Sequence, residues 1–257
     1  MYIDTHAHLY SEKFNEDIDV VINSAINANV LKIYLPNIDL ESINTMHTLA
    51  ETYPNNCYPM MGLHPCSVKE NFKSILQKMK AYLDERGYHG IGETGVDLYW
   101  DTTFEKEQIE AFEIQIEWAK EFGLPIIIHS RDSLDLTIEI IEKHKGDNLT
   151  GIFHCFNGTT DQCKRIVDAN FMMGLGGVVT FKKANLEEMI AYMPMDRMLL
   201  ETDAPYLAPT PFRGKRNESS YIPLIAEKIA TVRNVGVEEI MHTTTSNANR
   251  IFSKAGN

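Results

Sequence analysis

The feature that most limits what this chain can fold into is a repeating alternation. Eight short apolar runs of β character fall near residues 2–6, 31–36, 58–63, 88–93, 124–129, 150–154, 170–175 and 197–202, and longer amphipathic stretches separate them. Within those stretches, Phe112, Ile116 and Ala119 recur on one helical face, as do Leu134, Ile138 and Ile141. Strands alternating with helices predict parallel βα units. Eight such units in 257 residues match a (β/α)₈ TIM barrel, which typically needs about 250 residues. The expectation is therefore an α/β fold, a single barrel domain spanning residues 1–257. The competing doubly wound sheet would carry a glycine-rich phosphate turn after its first strand, and none is present.

Local signals mark the helix ends. Ser67-x-x-Glu70 and Thr102-x-x-Glu105 have the capping-box pattern. Asp39 and Asp132 are candidate N-caps. Gly87 and Gly123 stand where a helix would end on a left-handed residue.

Polar residues at the strand ends carry the chemistry. Five of the nine histidines fall there: His6, His8, His64, His129 and His154. In Thr5-His6-Ala7-His8, residues two apart on an extended chain point the same way, so both rings can reach one ion. Glu93 closes the fourth run among glycines, which suit close packing around a site. Three isoleucines lead into His129, Gly151-Ile152-Phe153 leads into His154, and Met198-Leu199-Leu200 leads into Glu201 and Asp203. Taken singly, each His also fits a hydrogen-bonded core residue or a surface pair. Taken together they match the barrel rule that catalytic groups gather at the C-terminal ends of several strands. A nitrogen and oxygen donor set without thiolate suits zinc, manganese or, with water in the shell, magnesium. His47, His144 and His242 lie on predicted helices and His89 within a strand, where structural roles are expected.

Composition narrows the partners. A net charge of −12 argues against a broad basic face for duplex DNA, so a nucleic-acid substrate must be gripped locally. No apolar run approaches the roughly 18 residues of a membrane helix, and the first run meets Asp4, His6 and His8 at once, unlike a signal peptide. The expectation is a cytoplasmic protein without a membrane or obligate protein partner. Cys57, Cys66, Cys155 and Cys163 show no metal or redox spacing and are expected as thiols. Cys155, beside His154, reads as a small buried residue rather than a nucleophile.

Six segments in order, Asp4-Thr5-His6-Ala7-His8, Gly62-Leu63-His64-Pro65, Gly90 to Asp97, Ile128-His129-Ser130-Arg131, His154 to Gly158, and Leu200 to Leu207, resemble those of TatD-type metal-dependent deoxyribonucleases, within the amidohydrolase-like barrels. The resemblance covers essentially the whole chain. It implies one divalent ion held by His6, His8 and Asp203, a second held by His129 and His154, and Glu93 bridging them. It also implies cleavage of DNA phosphodiesters, with single-stranded DNA attacked from an end. Thr94, Val96 and Asn157 stand where the family more often has Ile, Leu and Ser. Glu93 occupies the position where many amidohydrolase barrels use a carboxylated lysine, which favours the TatD-like reading.

The expected mechanism is two-ion hydrolysis. Asp203 is both a ligand and a candidate base. Glu201 is expected to support a ligand from behind, and His64 to meet a phosphate oxygen or a water. Arg131, Arg213, Lys215 and Arg216 are candidate phosphate contacts. Tyr99 and Trp100 are candidate stacking platforms. Hydrolysis of a carboxylic ester, amide or lactone, including editing of mischarged transfer RNA, is the alternative. A non-enzymatic, metal-stabilised interaction protein fits least, because a structural metal needs only a closed four-coordinate shell.

Overall fold

The computed structural model describes residues 1–144, 146 and 148–253. Eight strands alternate with helices: β1 Tyr2–Asp4, β2 Val30–Pro36, β3 Cys57–Met60, β4 Ile91–Asp97, β5 Ile126–Arg131, β6 Gly151–Phe153, β7 Met172–Leu175 and β8 Met198–Leu200. All the strand pairs are parallel, in the orders β1-β2-β3 and β4-β5-β6-β7-β8. Two seams join these sheets. At one, Met61 pairs with Ile91, and Gly92 N–H donates to Met61 O at 2.9 Å. At the other, Ala7 pairs with Ala204, Thr5 N–H donates to Leu200 O at 3.0 Å and Asp203 N–H to His6 O at 2.9 Å. The (β/α)₈ barrel is thus closed by a few backbone bonds at each seam.

The buried Asp4 carboxylate clasps the second seam. It accepts from Thr202 N–H (3.0 Å), Thr202 Oγ1 (2.6 Å) and Ser219 Oγ (2.7 Å), tying β1 to the segment after β8. Four donors, including His6 N–H at 3.2 Å, satisfy a group that would be costly to bury alone.

Helices α1 (Ile18–Asn27), α2 (Ser42–Thr52), α3 (Phe72–Glu85), α4 (Glu105–Phe122), α5 (Leu134–His144), α6 (Thr160–Asp168), α7 (Glu187–Tyr192), α8 (Ile222–Arg233) and α9 (Val237–Ile251) complete the alternation. In α4, Phe112, Ile116 and Ala119 are buried as their spacing predicts, and Gly123 (φ 65°) ends the helix in the left-handed conformation. Gln115 on the same face is fully buried; it accepts from Leu63 N–H (2.8 Å) and donates to Thr94 Oγ1 (2.6 Å). The polar Thr94 side chain therefore has a matched partner. Among the described residues no helix is long and apolar enough to cross a membrane.

Several local expectations need correction. β4 runs to Asp97, not to 93, because Thr94 to Asp97 pair with Ile128 to Arg131. Glu93 therefore sits inside the strand. A Cβ at Gly95 would collide with His129 O, so only glycine lets β4 and β5 pair this closely. Neither expected capping box forms. Ser67 ends a 3₁₀ turn, Pro65–Ser67, that His64 caps, and α4 starts without a side-chain cap. The capping box that does form is Thr159 with Gln162, at α6. Asp39 is not the N-cap of α2, which is Glu41, although its carboxylate accepts from Ser42 N–H at 2.8 Å. Asp132 instead takes a left-handed turn before α5, and Gly87 is not left-handed.

Candidate metal centre

His6, His8, Glu93, His129, His154 and Asp203 converge at the C-terminal mouth of the barrel, with His64 beside them. His6, Glu93 and His154 are buried. Around Glu93 Oε2 the separations are short: His6 Nε2 at 3.2 Å, His8 Nε2 at 3.3 Å, and the two ring nitrogens 3.2 Å from each other. Asp203 Oδ1 lies 3.8 Å from His6 Nε2 and 3.5 Å from His8 Nε2. A tetrahedron of donors about 2.0–2.1 Å from a divalent ion has edges of about 3.3–3.4 Å. The donor set and its spacing fit such an ion.

Around Glu93 Oε1 stand His129 Nδ1 at 2.8 Å, His154 Nε2 at 3.0 Å and His64 Nε2 at 3.4 Å. The outer nitrogens decide what each ring can do. Tyr10 donates its hydroxyl to Pro36 O at 2.5 Å, so its oxygen accepts from His8 Nδ1–H at 2.9 Å, leaving His8 Nε2 as the nitrogen that can exchange a proton for a cation. Asp97 Oδ2 takes His129 Nε2–H at 2.9 Å, and Glu201 Oε1 takes His154 Nδ1–H at 3.3 Å. In both rings the nitrogen facing Glu93 is the one left to bind a cation. His64 is the reverse. Cys66 N–H donates to His64 Nδ1 at 3.1 Å, so Nε2 carries the hydrogen and faces the cluster as a donor. His64 is therefore adjacent to the second group of candidate ligands but chemically unlike them.

The charge balance has the same origin. Burial works against an ionised Glu93, but His154, His64, His6 and the hydrogen bond from His129 hold its carboxyl well below the usual range. Burial likewise opposes Asp97, yet His129 and the Trp100 and Tyr99 amides bring it down to about 2. Asp203 is lowered by His8, His154 and His6 against the cost of burial. Burial pushes the His6 and His64 imidazoles down. It also opposes protonation of His8, His129 and His154, but their carboxylate and tyrosine neighbours outweigh it and raise all three.

The site opens into a cavity of about 860 Å³, whose rim includes Tyr10, Trp100, Arg131 and Tyr206. Trp100 is 68% exposed and Tyr206 50%. Arg131 is the only Arg or Lys lining this cavity among the described residues, and its guanidinium packs 3.8 Å from the Tyr99 ring centre. Arg213, Lys215 and Arg216 do not line it. Arg213 lies over Phe181 and Lys215 over Phe212, whereas Arg216 is bound to Asp17 at 2.6 Å and Glu218 at 2.9 Å. Glu201 is fully buried, in a space that exists because Gly174 has no side chain to strike it. Burial and the nearby carboxylates push the Cys155 thiol well up, which agrees with an inert residue. Asp97 and Tyr10, which fix the faces of His129 and His8, carry no motif of their own. The one sequence signal for Asp97 is its spacing from Glu93, which puts both on one strand face.

The TatD related DNase family model matches residues 3–253. The chain belongs to this family. A metal-dependent hydrolase of Bacillus subtilis, YabD, otherwise uncharacterized, is 38% identical over 98% of this chain and 99% of its own length. The 3′-5′ ssDNA/RNA exonuclease TatD of Pectobacterium atrosepticum is 30% identical, covering 98% of this chain and 99% of its own. The crystal structure of YjjV, a TatD homologue from Escherichia coli K12, superposes with a TM-score of 0.92 at 29% identity, covering 98% of both chains. This TatD-family barrel is a metal-dependent hydrolase.

Proposed function

We propose that this TatD-family protein is a two-ion phosphodiesterase acting on nucleic acid, with single-stranded DNA as substrate and cleavage from an end. The observation that carries the reading is the orientation of the rings. His8, His129 and His154 each give their outer hydrogen to a protein acceptor, so the nitrogen that faces the carboxylates is the one a cation would take in exchange for a proton. In this reading His6, His8 and Asp203 would hold one ion, His129 and His154 would hold the other, and Glu93 would serve both. Two divalent ions so placed would supply positive charge for a phosphodiester and ease the ionisation of a water.

The chain's own groups divide the remaining work. Asp203 is ionised at neutral pH, and its Oδ2 has no protein partner among the described residues, so it is free to receive a proton from the attacking water. His64 offers Nε2–H to an oxygen of the reacting group, with Cys66 N–H holding that tautomer. Glu201 and Asp97 hold His154 and His129 in place. Arg131 bears no carboxylate partner among the described residues and can take a phosphate oxygen at the rim. Trp100 and Tyr206 offer exposed ring faces to a base. The polymer class is supported by the exonuclease activity named for the Pectobacterium relative. The acidic surface agrees with a substrate gripped at the site rather than along a basic face.

The test strips the protein of metal, returns Mg²⁺, Mn²⁺ or Zn²⁺ singly, and follows single-stranded DNA, with His129→Ala as control. Cleavage that returns with an ion and is lost in the variant is expected. No cleavage with any ion, alongside turnover of a carboxylic ester or an aminoacyl ester, would move the activity to that class.

A further inference from the structure

Beside the metal cavity lies a second groove of about 890 Å³, walled by the loops after β5, β6 and β7. Arg131 lines both spaces. The groove therefore begins where the candidate phosphate contact stands, two residues beyond His129 on the same strand.

Its chemistry differs from that of the cavity. Arg131 is again the only Arg or Lys in the wall among the described residues, while Asp132, Asp135 and Glu188 also line it. A run of phosphates would be repelled there. The remaining polar wall is neutral. Asn157, three residues after His154, and Asn185, in the loop before α7, are both exposed, and among the described residues neither side-chain amide has a hydrogen-bond partner. An amide presents a donor and an acceptor side by side, which is the pattern on a nucleobase edge, and carboxylates accept from exocyclic amines. Tyr99 adds a ring at the entrance, stacked against Arg131. That ring is positioned from the metal site itself: Asp97 Oδ1 accepts from Tyr99 N–H at 3.0 Å and Trp100 N–H at 3.1 Å, while Oδ2 holds His129.

We infer that this groove is a base-binding subsite for the nucleotide next to the scissile phosphodiester, with that nucleotide's phosphate on Arg131 and its base edge on Asn157 and Asn185. The inference rests on the phosphodiesterase reading and extends it: the chain would select a polymer over a small diester by binding the neighbouring residue. Because stacking and amide contacts tolerate several bases, the preference is for length more than for sequence.

Two measurements on the metal-loaded protein test this. Fluorescence anisotropy follows the binding of slowly hydrolysed phosphorothioate oligothymidylates of increasing length, and absorbance follows hydrolysis of bis(p-nitrophenyl) phosphate, a diester that carries no base for the groove. Both are repeated for Asn157→Ala combined with Asn185→Ala. Affinity is expected to rise with the first added nucleotides and then level off. The double variant should lose that gain, about tenfold for two hydrogen bonds, with kcat/KM for the nitrophenyl diester unchanged. Affinity independent of length, or a gain that survives in the double variant, would overturn the subsite. Failure of the nitrophenyl diester with every ion, while the length gain persists and needs Asn157 and Asn185, would sink the phosphodiesterase reading and leave the groove assignment standing.

Discussion

The floor and the mouth of this barrel are built from the same strand faces, two residues apart. On β5 Ile127 precedes His129, Ile152 of β6 precedes His154 just past its end, and Leu199 of β8 precedes Glu201 just past its end. The first member of each pair belongs to one apolar cluster with Ile3, Tyr34, Met60 and Met172. The end of α9 packs into that cluster through Ala248, Ile251 and Phe252, whose ring stacks on Tyr34 at 3.7 Å. The second member joins a nest of imidazoles and carboxylates. One step of strand pleat thus separates an apolar region that holds the fold together from a nest whose imidazoles and carboxylates balance one another's charge.

That contrast can be broken from either side. The largest effect is expected at the mouth: Asp203→Asn should lower kcat by about 10²–10⁴-fold while circular dichroism still shows a folded barrel. Full metal-dependent activity would remove Asp203 from its assigned role. At the floor, Leu199→Ala leaves a cavity where a fully buried side chain stood and should cost about 2–5 kcal/mol in denaturant unfolding. Metal content below the melting temperature should be unchanged; loss of metal with stability would show that floor and mouth are not separable.

Asp97→Asn is the next in size. The amide can still accept from the Tyr99 and Trp100 N–H groups through its oxygen, but it then faces His129 Nε2 with a donor and drives the hydrogen to Nδ1. Metal affinity should fall by about 10–100-fold, with Asp97→Glu recovering part of it. An Asn variant that binds metal as tightly as the parent would show that the ring is held by something else.

The pH response follows from the shifted imidazoles. His8, His129 and His154 are raised, so in metal-free protein they stabilise fully below the ordinary value of about 6.5 and lose that contribution as pH rises through their folded values. His6 and His64 are lowered and act in the window below 6.5, where stability rises with pH. Metal-free Tm should therefore peak near about 6.5 and decline above it, while the gap to the metal-loaded Tm widens, because ions need the bare nitrogens. A gap that narrows with rising pH would contradict the ligand set. The smallest effect is expected for Arg216→Ala, which loses surface ion pairs with Asp17 and Glu218 that solvent screens, and should leave stability nearly and KM fully unchanged. A raised KM would return Arg216 to the substrate.

The barrel and its mouth are legible in the sequence for one physical reason. An apolar run that stops at a His or carboxylate, repeated on strands 1, 5, 6 and 8, places costly polar groups at the end of a buried core, and a shared cation is what would offset that cost at all four strands together. Glu93 is legible as a candidate ligand but not as an interior strand residue, since Gly-Glu-Thr-Gly-Val-Asp has little intrinsic strand character and becomes strand only by pairing with β5. The roles of Asp97 and Tyr10 are hidden because what makes them matter is the ring each one touches, and the sequence prints no such contact. The basic group at 213–216 follows the prolines of a loop on the catalytic side, yet Asp17 and Glu218 have already taken Arg216. Charge in a loop says where a cation is, not whether a neighbour holds it.

The most direct test of the proposed two-ion site is anomalous diffraction from crystals loaded with Mn²⁺ or Zn²⁺. Two peaks about 3.5–4 Å apart are predicted, one among His6, His8, Asp203 and Glu93 Oε2, the other among His129, His154 and Glu93 Oε1, with His64 bound to neither. A single peak, no peak, or an ion ligated by His64 Nε2 would contradict that arrangement and, with it, the proposed function.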